Sequence, residues 1–284
     1  MCEASFSPKN GWYCCFCLNP VTGARIVLPS HLALSSEIKA VVSSVPSETG
    51  LPRRRRCYVC CLIEDSLAFR APGDESWTSP PDSLPDWDDI YAGFHDIEIV
   101  DGKLYAVGRG LLEFLIVFDI QVDAHGYRNH TCTAQKLVTL HHNVDDISEF
   151  DDQVIYQDSY LAKGSESKEL FMILHNKDGD QWTRGFQVTK LEDNVATGPR
   201  WVEIDDLGDQ VLFIYALNYK FVSLGSTSHD KTLQRNSIYL VFDCGRRLDS
   251  GVFSLRNKSI QPLNIPKEEH LYEGIRSVWY APNS

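Results

Sequence analysis

The sequence predicts an all-β protein, and three observations support this fold class. Short runs rich in Val, Ile, Tyr and Phe recur along the chain, and these residue types favour β-strands. Clusters of Gly, Pro, Asp, Asn and Ser separate the runs and are typical of turns. No long amphipathic helical pattern accompanies them. The chain of 284 residues, 43% hydrophobic and 23% charged, has the composition of a globular protein.

The predicted strands share this composition and these turn-forming boundaries. In chain order they are Trp12–Leu18, Ala24–Leu28, Cys57–Ile63, Ser66–Arg70, His95–Val100, Lys103–Val107, Glu113–Ile120, Gln135–Leu140, Gln153–Gln157, Glu169–His175, Gly185–Lys190, Trp201–Asp205, Gln210–Ala216, Lys220–Leu224, Ser237–Phe242, Val252–Leu255 and Ser259–Leu263. One segment is ambiguous. Its apolar residues Leu34, Ile38, Val41, Val42 and Val45 recur at a helical period, whereas its Val-rich end suits a strand equally well.

Similar starts of strands recur along the chain. Polar turns lead into hydrophobic pairs at Asp65, Asp101, Asp152, Asp209 and Asn236. These starts lie about 43 residues apart on average, within the ~40–50 residues of a four-stranded propeller blade. The length then corresponds to roughly six blades. A pair of β-sandwiches is the alternative, although it accounts less well for so many similar starts.

The charge balance and hydropathy exclude several classes of partner. The formal net charge is −12, so we expect no nucleic-acid partner, because phosphate groups attract Lys and Arg. The most apolar stretch, Leu111–Ile120, contains Glu113 and Asp119 and is too short to cross a bilayer. The first residues lack the charged and apolar regions of a secretory signal. We therefore expect an intracellular protein of the cytoplasm or nucleus, with no membrane partner.

The cysteines and histidines predict no metal site or cofactor. The pairs Cys14/Cys17 and Cys57/Cys60 have a C-x-x-C spacing, but both lie in apolar runs that resemble strands. Residues i and i+3 of a strand point to opposite faces, so we interpret these cysteines as small buried hydrophobes. The sequence His141-His142, followed by Asp145-Asp146, is interpreted as a solvated loop.

No nucleophile elbow, phosphate-binding loop or zinc-protease motif is present in the sequence. We therefore predict no catalytic residue and no enzymatic activity. Loops on a rigid β scaffold commonly carry binding instead. The candidate interaction residues are a basic run and a loop that combines tryptophan with acidic residues: Arg53, Arg54, Arg55, Arg56, Trp87, Asp88 and Asp89.

Six phrases, in order, resemble those of a known family. They are Phe16–Pro29, Leu67–Thr78, Phe94–Val107, Arg200–Phe213, Asn236–Tyr239 and Gly251–Leu255. The chain resembles a plant family of F-box proteins whose C-terminal part is a kelch-like β-propeller of the KIB type. The resemblance extends over about residues 11–280. It implies a propeller of about six four-stranded blades that recognises protein substrates of a ubiquitin ligase.

The position of the phrases sets the expected domain organisation. They begin near residue 11, so the resemblance implies that the F-box is missing and that the first blade is incomplete. We predict an N-terminal tail over residues 1–10 and a single β-propeller domain over residues 11–284. A Skp-type adaptor is then not an expected partner, because family members bind it through the F-box. The expected partner is an unidentified protein substrate.

Two other interpretations remain open. The chain is a truncated or decayed family member without activity, which a non-cooperative thermal melt would indicate. Alternatively, it is an enzyme or metal-binding propeller with a site in the central channel. That interpretation requires titratable groups such as His141 and His142 to converge with two acidic side chains.

Overall fold

The structure is a computed structural model. It describes residues 2–7, 12–18, 25–27, 38–43, 59–63, 66–70, 76–80, 93–108, 113–121, 131–140, 156–165, 168–194, 196, 198–215, 218–225, 233–243 and 248–263. The chain divides into two compact units, Met1–His141 and His142–Ser284. Each unit consists of antiparallel sheets, apart from one parallel pair of strands in the second unit.

The described residues of the first unit form three sheets, each built from consecutive strands. Two are three-stranded and the third is four-stranded, in the order β10-β9-β8-β7. The strands are β1 Cys2–Ser7, β2 Trp12–Leu18, β3 Arg25–Val27, β4 Ile38–Val42, β5 Val59–Ile63, β6 Ser66–Arg70, β7 Phe94–Val100, β8 Lys103–Gly108, β9 Glu113–Gln121 and β10 Thr131–Leu140.

The β7–β8 hairpin shows how the sequence determines the register in this unit. Val100 pairs with Lys103, so Asp101 and Gly102 form a two-residue loop, and both have positive φ (51° and 79°). Two positive φ angles define a type I′ turn, whose twist matches that of the strands and which favours Asp-Gly. The two-residue turn sets the pairing register of β7 and β8, and the register determines on which face of the sheet each side chain lies.

The core of the first unit lies between the β4–β6 sheet and the β7–β10 sheet. Cys60 and Phe69 of the first sheet pack with Ile97, Leu104 and Phe118 of the second, and all five are at most 1% exposed. The rings of Phe94 and Phe118 meet edge to face, with centroids 5.8 Å apart. This burial of apolar side chains between two sheets is the main force that holds them together.

In the second unit, the described residues form two sheets. A four-stranded sheet has the order β11-β12-β13-β14, and a five-stranded sheet has the order β16-β15-β17-β18-β19, with β15 and β17 parallel. The strands are β11 Tyr156–Lys163, β12 Leu170–Lys177, β13 Thr183–Asn194, β14 Gly198–Ile204, β15 Gln210–Tyr215, β16 Asn218–Ser223, β17 Ser237–Asp243, β18 Leu248–Ser254 and β19 Ser259–Pro262. Their facing sides form one core that includes Ile173, Phe186, Leu212, Ile238 and Phe253.

The expected number of blades needs correction. The described residues form five sheets of three to five strands, not about six four-stranded blades. The ambiguous segment contains a strand at Ile38–Val42, and β1 pairs with β2. The division into a tail over residues 1–10 and one domain over residues 11–284 stays a prediction. Within the described residues, no helix is long and apolar enough to cross a membrane.

The close contact between β18 and β19 depends on a glycine. Gly251 pairs with Pro262, and a Cβ at Gly251 would lie 2.8 Å from Cγ2 of Ile260 and 3.0 Å from the carbonyl oxygen of Gln261. We expect Gly251→Ala to lower the free energy of unfolding by about 1–3 kcal/mol through overpacking. Urea denaturation measures this change.

Gly185→Ala is the matched control for that substitution. A Cβ at Gly185 would meet the Phe253 ring at 3.4 Å, which is an ordinary contact, so the urea midpoint should change little. Equal midpoints for the two variants would contradict the account of the β18–β19 contact.

Candidate protein-interaction surface

The candidate interaction residues predicted from the sequence lie outside the described residues. They are Arg53, Arg54, Arg55, Arg56, Trp87, Asp88 and Asp89. His141, His142, Asp145 and Asp146 also lie outside this part of the chain. The structure therefore leaves both predictions untested. The polar surfaces that it does describe are at the two ends of the strands in the second unit.

Hydrogen bonds group the connections of the second unit. The β12–β13 turn lies beside the start of β18, because Thr183 binds Asp249; we call this the turn end. The β18–β19 connection lies at the other end of β18, where Asn236 contacts both it and the β14–β15 connection; we call this the Asn236 end.

The β12–β13 turn is held by the side chain of Asp178. Its Oδ1 accepts hydrogen bonds from the backbone N–H groups of Asp180 (3.0 Å) and Trp182 (2.9 Å), and its Oδ2 lies 3.0 Å from Nη2 of Arg184. Gln181 has a φ of 65°, which is uncommon for a residue with a side chain. The turn is thus fixed from within, while Asp180, Gln181 and Arg184 remain exposed.

A chain of hydrogen bonds between His175, Thr183 and Asp249 lies beneath this turn. Nε2 of His175 lies 2.8 Å from Oγ1 of Thr183, and that hydroxyl lies 2.5 Å from Oδ2 of Asp249. The backbone N–H of Thr183 donates to the same carboxylate oxygen at 2.8 Å. His175 is on β12, Thr183 on β13 and Asp249 on β18, so the chain joins the two sheets of this unit.

The donors and acceptors in this series of hydrogen bonds determine the direction of each bond. An ionised carboxylate only accepts hydrogen bonds, so the Thr183 hydroxyl donates to Asp249 and accepts from Nε2–H of His175. In a Ser-His-Asp triad the imidazole lies between the hydroxyl and the carboxylate, whereas here the hydroxyl lies between the other two. His175 is only 1% exposed. The arrangement therefore suits a structural link better than a nucleophile.

The surroundings of His175 keep its imidazole neutral. The ring stacks between Phe186 and Phe242, each with its centroid 4.7 Å away. Burial, and after it the charge of Lys177, lower the pKa of His175 to about 3, although Asp158 opposes this. Desolvation disfavours the charged form of a histidine. The imidazole is thus uncharged at neutral pH.

Asp158 and Lys177 form an ion pair beside this chain. Nζ of Lys177 lies 2.5 Å from Oδ2 of Asp158, and the Tyr160 hydroxyl donates to the same oxygen at 3.0 Å. Burial raises the pKa of Asp158, but the hydrogen bond and charge of Lys177 outweigh it, so the pKa is lowered overall. Tyr160 also stacks on Tyr219 of β16 at 4.7 Å. The turn end therefore combines fixed charges with aromatic contacts between the sheets.

The Asn236 end is organised by one side chain. Oδ1 of Asn236 accepts from the backbone N–H of Leu207 (2.8 Å), and its Nδ2 donates to the carbonyl of Asp205 (3.2 Å). Its backbone donates to Gln210 and accepts from Leu255. Asn236 has a φ of 55°, which asparagine tolerates better than most residues. It thus fixes the β14–β15 connection.

Two substitutions of Asn236 separate the contribution of its side-chain hydrogen bonds from that of its positive φ. Asn236→Gly keeps the positive φ and loses the side-chain hydrogen bonds, so we expect a loss of about 1–2 kcal/mol. Asn236→Ala adds backbone strain and should lose about 1–3 kcal/mol more. Thermal and urea denaturation of both variants measure the difference. A more stable Ala variant than Gly variant would refute this explanation.

The first unit contains a buried ion pair. Nζ of Lys39, on β4, lies 2.6 Å from Oδ1 of Asp96, on β7, and their side chains are 8% and 0% exposed. The same oxygen accepts from the backbone N–H of Ile97 at 2.9 Å. The pair links the two sheets that share the core of this unit. It lies too deep to contact a partner.

Among the described residues, no group of three or more His, Cys, Asp and Glu side chains could hold a metal ion. Cys60 and Cys61 are buried in the core of the first unit. Burial, and then the charge of Asp119, raise the pKa of Cys132 to about 11. A thiol with a raised pKa is a poor nucleophile at neutral pH.

The described sheets, which are antiparallel apart from the β15–β17 pair, are those of an all-β protein. A family model described as the KIB1-4 beta-propeller matches residues 8–254. This match covers well over half of the chain, and the chain therefore belongs to this β-propeller family. Comparisons with curated proteins and with solved structures give no match. The propeller predicted from the sequence is confirmed.

Proposed function

We propose that this chain is a non-catalytic protein-interaction module, the kelch-like propeller that recognises protein substrates for a plant ubiquitin ligase. Membership of a β-propeller family is consistent with a role in protein interaction. Rigid sheets that present loops at their ends provide a scaffold for recognition. The proposal places the protein inside the cell, in the cytoplasm or nucleus.

The observation that carries the proposal is the construction of the β12–β13 turn. Asp178 and the Thr183–Asp249 contact anchor it on both sides, so little conformational entropy is lost when a partner binds it. Its side chains from Asp180, Gln181 and Arg184 are exposed, so a partner could contact them. The residues predicted from the sequence stay separate candidates for interaction: Arg53, Arg54, Arg55, Arg56, Trp87, Asp88 and Asp89.

Affinity capture with a charge-reversal variant tests this function. The whole chain, its Asp180→Lys variant and an Asp193→Lys control are used as baits in plant cell extract. Asp193 is also exposed, so both variants change the net charge equally. We expect at least one protein whose recovery falls about fivefold, or about 1 kcal/mol, with Asp180→Lys only. Titration calorimetry with that purified protein should reproduce the loss.

One outcome of this experiment would contradict the proposal. Identical sets of proteins from all three baits would contradict a role of this turn in recognition.

A further inference from the structure

One buried atom in the hydrogen-bond series at the turn end has no hydrogen-bond partner among the described residues. Nδ1 of His175 is buried and forms no hydrogen bond within the described residues. Because Nε2 carries the proton that Thr183 accepts, Nδ1 is the bare nitrogen of the neutral ring. The next proton that the imidazole takes up must therefore bind here.

Among the described residues, no group positioned around His175 would accommodate that proton. Phe186 of β13 and Phe242 of β17 cover the ring faces and carry no charge. The facing charged groups are Asp158 of β11, Lys177 of β12 and, through Thr183, Asp249 of β18. Asp158 already pairs with Lys177, and Asp249 is occupied by Thr183. An imidazolium would be a buried charge without a partner of its own.

The Asp249 carboxylate holds the other end of this hydrogen-bond chain. Its Oδ2 accepts both the hydroxyl and the backbone N–H of Thr183. Charge-assisted hydrogen bonds of this kind are stronger than neutral ones. The link between β13 and β18 therefore runs through Thr183, whose hydroxyl also faces Nε2 of His175.

We propose that His175, Thr183 and Asp249 form a proton-sensitive latch, which holds the β12–β13 hairpin to β18 at neutral pH and releases it in acid. The latch is distinct from partner binding, since His175 lies beneath the exposed turn. Release leaves the remainder of the core between the two sheets in place. Opening is therefore local and precedes global unfolding.

The pH range in which the latch opens follows from the pKa of His175 in the closed and open states. The pKa is about 3 in the folded protein, against 6.5 for an unperturbed histidine. The stabilisation is complete above pH 6.5 and is lost as the pH falls from 6.5 towards 3, because the open state binds more protons there. One proton per opening event raises the opening constant by about tenfold per pH unit.

Amide hydrogen exchange of the whole chain tests the latch. Rates are measured between pH 6.5 and pH 4.5 and corrected for intrinsic exchange. Peptides over residues 170–190 and 248–254 should gain about 50-fold in opening constant, while a peptide over residues 94–108 of the first unit should change far less. In His175→Gln, whose amide still donates to Thr183 and does not titrate, the same peptides should change less than about threefold. Equal pH dependence in wild type and variant would overturn the latch.

Nuclear magnetic resonance of the wild-type histidine provides a second test that needs no variant. Nitrogen spectra at neutral pH should show His175 protonated at Nε2 and bare at Nδ1, with titration only well below pH 5. A neutral ring protonated at Nδ1, or a midpoint near 6.5, would overturn the proposal even if His175→Gln does not fold.

Discussion

We expect Lys39→Met to lower the free energy of unfolding of the first unit by about 3–5 kcal/mol, since the change leaves the Asp96 carboxylate charged and buried without its cation. Asp96 is fully buried and lies 2.6 Å from Nζ of Lys39. The methionine fills most of the volume of the lysine stem, so the loss is electrostatic. Urea denaturation followed by circular dichroism measures it.

The double variant Lys39→Met/Asp96→Asn distinguishes a stranded charge from lost packing. The asparagine oxygen still accepts from the Ile97 N–H, and no buried charge remains, so we expect most of the stability to return. Lys190→Met is the surface control, because its partners Glu169 and Glu192 are about 40% exposed, and it should lose less than about 1 kcal/mol. A double variant no more stable than Lys39→Met would refute the explanation.

The second large effect concerns Phe253, at the centre of the core of the second unit. We expect Phe253→Ala to lower the free energy of unfolding by about 3–5 kcal/mol, through lost burial and the cavity left behind. The Phe253 ring is 1% exposed and meets Phe186 edge to face, with centroids 5.5 Å apart. Thermal and urea denaturation measure the change.

Phe253→Leu is the conservative control for this effect. It retains much of the buried volume and should lose less than about 1.5 kcal/mol. Similar losses for Leu and Ala would mean that the site collapses around the smaller residue. The packing of the two sheets would then not depend on the Phe253 ring as described.

Much of the strand structure is predictable because local sequence determines it. Ser66–Arg70 was predicted with the bounds that the structure gives, and Asp101-Gly102 directs its own turn. Residues 158–163 of β11 were not predicted, since polar Asp158 and Ser159 interrupt the apolar pattern. The parallel pairing of β15 with β17 also escaped prediction, because nothing near either strand specifies a partner across a connection.

The candidate surface is less predictable from the sequence than the fold. Thr183 and Asp249 are 66 residues apart, and His175 lies in an apolar run that predicts only a core strand. Their meeting depends on the packing of two sheets, which a single sequence does not encode locally. The sequence does indicate that Asp96 needs a buried partner, since it is a charged residue among the apolar residues of a predicted strand. Nothing in the sequence identifies Lys39 as that partner.

Hydrogen exchange on the bound protein is the most direct test of the interaction function. The whole chain is compared alone and saturated with the partner recovered by affinity capture. The account predicts slower exchange over residues 178–184 of the β12–β13 turn, with unchanged exchange in buried strands such as β8, Lys103–Gly108. Protection confined to other parts of the chain, with the turn unchanged, would contradict it.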